Sequence, residues 1–514
     1  MPNDLTLSEE FIKIVGKENF TNSELDILCY SSDMAALPSE IFSLYGFKAP
    51  EYAVTPASTE HVVAIVQLAS KHGMPLTPRG GASTGYGGSV PVNGGLVLDL
   101  TQMKKILELD EEKKTVTVQS GITWKELIDF LAKKGFQPGI YPSSAYTATV
   151  GGLIGTGGCA GLGAPKYGSI EKQILDLEVV LPSGKVIHTA VDAIPNTDIA
   201  PGNHSLFVGA EGIFGIITRA TLRIYPMGDG FEILALAFDS FEDGWTAMNE
   251  LLDSEVVPHT LHLMDNQFLG NMRMVTAETP EEGAMIIVAL EAPTKKEVSK
   301  SKAALLKICA KNGGKDLGSE VALEEWEGRF KVELLFKRLG PALIPLEVLV
   351  PVEAGLSITS RWKEIAEENK MNLSIFSILG DNRQILLMPM ALTDERNKGH
   401  FVKTVAIMMN MLKESINLGG QIYSIGVHSF PYAESKLGKD HMKEMLKVKE
   451  AVDPKNLLNP YKVVRGAMPP WIFKLSMSLM ASLPSWLDSL VLRIAGVMPL
   501  NDFAEEGYDV PLEE

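Results

Sequence analysis

Five glycines crowd into PRGGASTGYGG (78–88), at positions 80, 81, 85, 87 and 88. Glycines so spaced let the backbone turn tightly and aim several N–H groups at one anion, and Ser83 and Thr84 add hydroxyl donors. This suits a diphosphate, held without a lysine. Walker-type phosphate binding is excluded, because the Gly-Lys pairs at Gly16, Gly184, Gly314 and Gly438 have no Ser or Thr after the lysine. The same loop contains Gly81-x-Ser83-x-Gly85, the pattern of a hydrolase nucleophile elbow. That motif needs a helix directly after the serine, and Tyr86-Gly-Gly-Ser-Val-Pro91 cannot start one. A purely structural turn is the other alternative.

A second strip, YPSSAYTATVGGLIGTGGCAGLGAPKYGS (141–169), contains Gly155-x-Gly157-x-x-Ala160. In a dinucleotide fold a helix would open there, but Gly161, Gly163 and Pro165 follow at once. The expectation is a glycine-lined strip lying flat along an extended cofactor, with Ser143, Ser144, Thr147, Thr149 and Thr156 as polar contacts. A third segment, SLFVGAEGIFGIITRATLRIYP (205–226), reads as a glycine turn feeding a strand. Three such segments suggest one large, two-ended nucleotide.

The elements that must position these loops follow from periodicity. VVAIVQLASKHG (62–73) reads as a helix ended by Gly73, and TWKELIDFLAKKG (123–135) as an amphipathic helix ended by Gly135. LVLDL (96–100), TVTVQ (115–119) and LEVVL (177–181) read as strands. Between about 228 and 424 the strand runs 232–238, 284–291 and 344–351 alternate with helices at 294–312 and 357–370. The fold class is therefore α+β, with an α/β-patterned second half. A helix over 433–451 and VDPKNLLNPYK (452–462) come next.

Composition narrows the class. The 514 residues are 45% apolar and 22% charged, as in ordinary globular chains. The net charge of −17 argues against a nucleic-acid binder, which needs a basic face. Cys29, Cys159 and Cys309 are far apart, with no CxxC pair, which excludes a disulfide framework and a Cys-ligated metal within this chain. MPNDLTLSEEFIKIVG lacks a basic stretch followed by an apolar core, and no run of about 18 uncharged apolar residues occurs. The expected setting is cytoplasmic, peripheral to a membrane at most.

The three glycine segments together, in this order, resemble the FAD-binding domain of the vanillyl-alcohol oxidase/p-cresol methylhydroxylase superfamily. Within it the chain is most similar to the glycolate oxidase/D-lactate dehydrogenase-like branch. PRGGASTGYGG resembles the pyrophosphate loop, PSS…TVGG the isoalloxazine and ribose strip, VGAEGIFGIIT the adenine-side turn, and VDPKNLLNPYK the C-terminal signature. The resemblance spans roughly 45–465. It implies a two-part PCMH-type FAD-binding domain over 46–227, a substrate (cap) domain over 228–424 and a return to the FAD domain over 425–465; outside it, residues 1–45 read as a helical segment and 466–514 as a helical C-terminal extension. Carried over position by position, FAD contacts fall on Gly80, Gly81, Ala82, Ser83, Thr84, Gly85, Pro142 and Ser143, then on Thr149, Gly152, Thr156, Gly212 and Ile217. Some members tether FAD through a histidine in the first loop. Gly81-Ala82-Ser83 stands there instead, so the cofactor is expected to be non-covalent FAD. Cys159 is a conceivable cysteinyl link or a buried small side chain.

Departures from the family bear on mechanism. The 2-hydroxy-acid branch carries a HxGDGNxH-like strip and a later EHG triplet that supply metal ligands. This chain has Ile378-Leu-Gly-Asp381-Asn-Arg-Gln-Ile385 at the first and Ile425-Gly426 within the second, so no metal is expected. For a catalytic group the candidates are His428 and Tyr423, with Arg383 paired to Asp381 over the flavin and Arg329 facing an anionic substrate. Each could instead be structural. Three readings stay open: a dehydrogenase of an alcohol or hydroxy acid passing electrons to a protein or quinone acceptor; an oxidase or hydroxylase of a phenolic or other non-carboxylate substrate; and a non-catalytic flavoprotein electron-transfer subunit.

The last stretch, PPWIFKLSMSLMASLPSWLDSLVLRIAGVMPL (469–500), has only Lys474, Asp488 and Arg493 as charges, with Trp471, Phe473 and Trp486 among many Met and Leu. It is either a helix pair packed on the body or a docking hairpin. Residues 501–514 hold six acidic and no basic side chains. That weakens docking on an anionic lipid surface and favours a protein partner, an electron acceptor or a partner subunit.

Overall fold

The computed structural model describes residues 6–34, 47–190, 203–275, 283–331, 335–340, 342–466 and 470–482. Local signals set the first elements. Ser58 caps the helix Thr59–His72, whose chain leaves through Gly73 at φ +62°. A capping box between Thr123 and Glu126 starts the helix Trp124–Ala132, which buries Trp124, Leu127 and Leu131. Helices Leu7–Val15 and Glu24–Tyr30 precede them, while 35–46 fall outside the described residues.

Two sheets build the first half. Strands Phe20–Thr21, Tyr52–Val54, Leu96–Asp99 and Leu76–Arg79 lie side by side in that order, the last three parallel. An antiparallel sheet runs Ile106–Asp110, Thr115–Gln119, Ile216–Pro226, Ile174–Val180 and Val186–His188, with Phe136–Pro138 also paired to Ile216–Pro226. The glycine segments are the connections facing the gap between these sheets.

The second half is a nine-stranded sheet centred on Gly230–Phe238, Ala284–Ala292, Thr260–Asp265, Leu373–Leu379 and Gln384–Thr393. Helices and strands alternate along the chain, yet every pairing in this sheet is antiparallel. The run 344–351, expected as one strand, is two: Ala342–Pro345 and Val348–Pro351. Between them the Leu346 N–H donates to Pro389 O at 3.0 Å and the Glu347 carbonyl accepts from Tyr423 N at 3.1 Å. The break makes Glu347 a corner residue. Helix 433–451 is likewise two, Ala433–Leu437 and Lys439–Val452, divided by Gly438 at φ +75°.

The second glycine strip is also not wholly flat. Thr149 caps a helix over Val150–Thr156 that buries Val150, Leu153 and Ile154, and Gly157 at φ +74° ends it. Gly155-x-Gly157 therefore sits at a helix end, the opposite of the dinucleotide arrangement. The C-terminal signature returns to the first sheet: the Leu76 N–H donates to Leu457 O, and the Asn459 N–H to Leu76 O, both at 2.8 Å.

Helix Pro470–Ser482 packs on Lys398–Asn417. It buries Met477 and Met480 and leaves Leu475 and Leu479 63% and 58% exposed. The side chains of Trp471 and Phe473, all of Trp486, and the acidic tail lie outside the described residues. Among the described residues no helix is long and apolar enough to cross a membrane.

Candidate active site

The three glycine segments converge on one cleft. Its inner reach is lined by Arg79, Gly80, Thr84, Gly88, Ser89, Ser120, Thr149, Gly155, Glu211, Gly212 and Ile217 among others. Its outer reach shares Gly80, Thr84, Thr149, Gly152 and Thr156 with the inner one and adds Gly81–Ser83 and Pro142–Ser144. The far end is closed by the second half of the chain, through Glu347, Ile378, Leu386, Met388 and Tyr423. All the expected cofactor residues line this cleft except Gly85.

The linings fit a flavin dinucleotide on three observations. In the first loop, Ala82 takes the left-handed conformation at φ +49°. Among the described residues the N–H groups of residues 81–85 meet no acceptor. Such a turn of converging N–H groups is an anion cradle. At Gly155 an added Cβ would meet nothing within 4 Å, so the glycine leaves open space in the lining. The hydroxyls of Ser89 and Ser120, both lining the inner reach, are buried without a partner, and buried hydroxyls normally have one. The start of helix Val150–Thr156 offers no comparable anion contact. Val150 N–H and Gly151 N–H donate to Ile122 O and Ser120 O, and Gly152 N–H to Thr149 Oγ1.

Charged groups that the sequence reading passed over shape the inner reach. Arg79 lines it, held by Ser32 O at 2.6 Å and stacked 5.6 Å from the Tyr30 ring centroid; burial lowers its pKa. Lys462, fully buried, donates to Gly88 O and Val90 O at 2.7 and 2.6 Å, and burial pushes it down to about 7. Asn459 Nδ2 donates to Glu211 O at 2.6 Å and Gly88 O at 3.2 Å. The C-terminal signature thus works as a clamp behind the phosphate loop. Within it Asp453 accepts from Lys449 at 2.5 Å, from Leu458 N at 2.8 Å and from Leu457 N at 3.0 Å. The signal was the density of Asp, Asn and Lys in VDPKNLLNPYK, too many polar groups for a surface loop that must pack.

The four catalytic candidates scatter. Tyr423 lines the outer reach, but its hydroxyl donates to Ala160 O at 3.3 Å, and burial holds its pKa well above the ordinary phenol value. His428 stands behind the first loop, its Cδ2 3.4 Å from where a Gly87 Cβ would be. It does not line the cleft, and burial pushes it down to about 4, so the imidazole is neutral. Arg383 is a surface residue paired with Asp253 at 2.8 Å and Glu353 at 3.5 Å, while Asp381 pairs with Lys172 at 2.5 Å. The expected Asp381–Arg383 pair over the flavin is not formed, because Asn382 and Arg383 both take positive φ and turn the strip outward. Arg329 stacks 4.2 and 4.3 Å from the Trp326 and Phe330 rings and donates to Trp326 O, close to Tyr141, one residue before Pro142. Cys159 does not line the cleft, and burial pushes its thiol up to about 11.

Two family matches cover most of the cleft residues, though not the turn at Glu211, Gly212 and Ile217 that lies between them. Residues 50–190 match the FAD binding domain, and residues 231–463 match the C-terminal domain of FAD linked oxidases. A D-lactate dehydrogenase of Archaeoglobus fulgidus is 30% identical over 421 residues, covering 80% of this chain and 91% of that protein. The chain belongs to the FAD-linked oxidase family. A glycolate oxidase subunit of Bacillus subtilis is 29% identical over 473 residues, covering 89% of this chain and 96% of that protein. Among solved structures, p-cresol methylhydroxylase with substrate bound matches with a TM-score of 0.75 at 19% identity, over 90% of this chain and 96% of that one. That likeness shows the fold: the PCMH-type two-domain arrangement of the vanillyl-alcohol oxidase/p-cresol methylhydroxylase superfamily. This FAD-linked oxidase is thus a FAD-dependent oxidoreductase of the glycolate oxidase/D-lactate dehydrogenase type.

Proposed function

We propose that this chain is a dehydrogenase that oxidises an alcohol or hydroxy acid and passes the electrons to a protein or quinone acceptor. The observation that carries the reading is the single cleft, glycine-lined at one end and closed at the other by Glu347, Ile378, Leu386, Met388 and Tyr423. Bound FAD supplies the hydride acceptor. The loop Gly80–Gly85 and Arg79 hold its phosphates, with Gly212 and Ile217 on the adenine side and Pro142 and Ser143 beside the ring. The apolar end side chains exclude water from the reacting carbon. The names of the Archaeoglobus and Bacillus relatives support a hydroxy-acid or related alcohol substrate.

The positions of the branch's metal ligands hold Ile378, Ile385, Ile425 and Gly426, three of them buried and apolar. These side chains do not fit a metal, and no step is assigned to one. Helix Pro470–Ser482, with Leu475 and Leu479 outward, supports docking of a partner subunit or acceptor protein, as does the word subunit in the Bacillus relative's name. FAD is held without a covalent bond, because Gly81-Ala82-Ser83 offers no histidine to tether it and Cys159 does not line the cleft.

The test is anaerobic. An alcohol or 2-hydroxy acid from a panel should bleach the bound flavin, and acid precipitation should leave all flavin in the supernatant. Reduction by a partner protein alone, with no bleaching by any alcohol or hydroxy acid, would overturn the dehydrogenase reading.

A further inference from the structure

Residues 30–34, from the N-terminal segment, grip the first glycine loop at three points yet line neither reach of the cleft. Asp33 Oδ2 accepts from Gly87 N–H at 2.7 Å, and Met34 N–H donates to Thr84 O at 3.2 Å. Arg79, where the loop begins, donates to Ser32 O at 2.6 Å and lies over the Tyr30 ring. The Tyr30 hydroxyl donates to Asp99 Oδ2 at 3.0 Å, which ties the stretch to the end of strand Leu96–Asp99. A trans peptide unit points its C=O and N–H in opposite directions. With its carbonyl on Met34, the Thr84–Gly85 unit turns the Gly85 N–H away from these residues. The Tyr86–Gly87 unit is held at both ends, its N–H by Asp33 and its carbonyl by Val427 N–H and His428 N–H at 2.8 and 3.2 Å. The C-terminal signature takes the next carbonyls, Gly88 and Val90, through Lys462. Among the described residues, the N–H groups of 81–85 stay unpaired while the backbone around them is fixed.

Resting on the reading that this loop holds the FAD phosphates, we propose that residues 30–34 are a positioning strap, which sets the peptide orientations of the anion cradle before FAD binds, with Asp33 as its main side-chain contact. The strap acts through the loop, since it does not line the cleft. A cradle already shaped loses less conformational freedom when the diphosphate arrives, so the gain appears as affinity. With the strap detached, the peptide units at Thr84–Gly85 and Tyr86–Gly87 each lose a partner and are freer to rotate. The strap makes no contact with the adenine-side turn at Gly212 and Ile217, so its effect belongs to the diphosphate and not to adenosine.

The experiment follows FAD release from the diluted holoenzyme by flavin fluorescence, and ligand binding by the full chain stripped of FAD. Asp33→Ala should speed release and raise the FAD dissociation constant about tenfold or more. Asp33→Asn, which keeps an oxygen for Gly87 N–H, should recover part of that loss. Tyr30→Phe, which cuts the tie to Asp99 and keeps the ring under Arg79, should raise the constant about threefold. ADP and adenosine, each competing with FAD for the stripped chain, separate positioning from general stability. Asp33→Ala should weaken ADP by the same factor as FAD and leave adenosine within about twofold of wild type. FAD affinity of Asp33→Ala within about threefold of wild type overturns the strap. So does equal weakening of ADP and adenosine, or a lower melting temperature with the ADP-to-adenosine ratio unchanged. Should Asp33→Ala not fold, Asp33→Asn and Tyr30→Phe carry the same comparison. If ADP binds the stripped wild-type chain no tighter than adenosine, the phosphate reading of the loop falls, and this inference with it. No alcohol or hydroxy acid enters the test, so its outcome does not depend on the dehydrogenase reading.

Discussion

The carboxylate of Glu211 accepts the Gly426 N–H with both oxygens, at 2.9 and 3.0 Å, and the Ile425 N–H at 3.0 Å. It joins the adenine-side turn to a segment 215 residues away. Glu211 itself takes φ +49°, and burial raises its pKa, opposed by those N–H groups and by Lys462. Glu211→Ala leaves two buried N–H groups unpaired and removes one of the two carboxylates, with Asp33, that face Lys462. The expected cost is about 2–4 kcal/mol in denaturant unfolding, with weaker FAD retention. Glu211→Gln, which keeps one acceptor oxygen, should lose about half as much.

The glycines divide into two kinds. A Cβ at Gly81 would fall 1.7 Å from Thr147 O, so Gly81→Ala must displace the loop against the second strip. Apoprotein melting temperature and FAD affinity should both fall. At Gly155 a side chain meets only the open cleft. Gly155→Val should leave the apoprotein's melting temperature within about 2 °C, since glycine in the last turn of helix Val150–Thr156 is no better a helix former than valine. Its FAD dissociation constant, from absorbance titration, should rise about tenfold or more.

His262 is buried in the cap sheet, 5.0 Å from the Phe376 ring, with Nε2 unpaired, and burial pushes it down to about 4 from 6.5. The unfolded chain therefore binds a proton between pH 6.5 and 4 that the folded chain does not. Stability from this site is lost as pH falls through that window and is constant above it. His262→Leu removes the difference. Relative to wild type, the variant should gain stability as pH drops from 7 to 4, by about 2–3 kcal/mol in paired urea melts. A constant offset at every pH would contradict the neutral buried histidine.

Helix Pro470–Ser482 has a packed face and an open one. Met480→Ala should destabilise by about 2 kcal/mol, because its side chain joins the core beside helix Lys398–Asn417. Leu479→Ser, at 58% exposure, should change the melting temperature of the isolated chain by less than 2 °C. Loss of stability at both positions would mean the outward face is already covered within the chain.

Legibility followed sequence distance. That the loop at 80–85 and Thr149 and Thr156 belong to one glycine-lined strip could be read from the glycines written in order, and Gly212 and Ile217 from the family resemblance; of these all but Gly85 line the cleft. The catalytic candidates could not. His428 stood in a suggestive string, yet the backbone carries it behind Gly87; Arg383 belonged to a recognisable strip, yet two left-handed residues turn it to Asp253 and Glu353. Glu347 gave one faint sign, a lone charge in IPLEVLVP, and alternation alone reads that run as a single strand.

Glycine spacing, helix caps and strand alternation are short-range, so the sequence by itself determined the α+β class and the glycine-rich loops, and the order of those loops carried the resemblance that implied FAD. Which side chains meet at the reactive end depends on the register between Val348–Pro351, Gln384–Thr393 and Gln421–Ile422, and on how that sheet abuts the second glycine strip at Ala160 and Gly380. Those pairings join residues separated by up to 220 positions. Only the tertiary structure decided that Glu347 and Tyr423 face the cleft while His428 and Arg383 do not, because a one-residue shift in strand register exchanges the faces of a sheet.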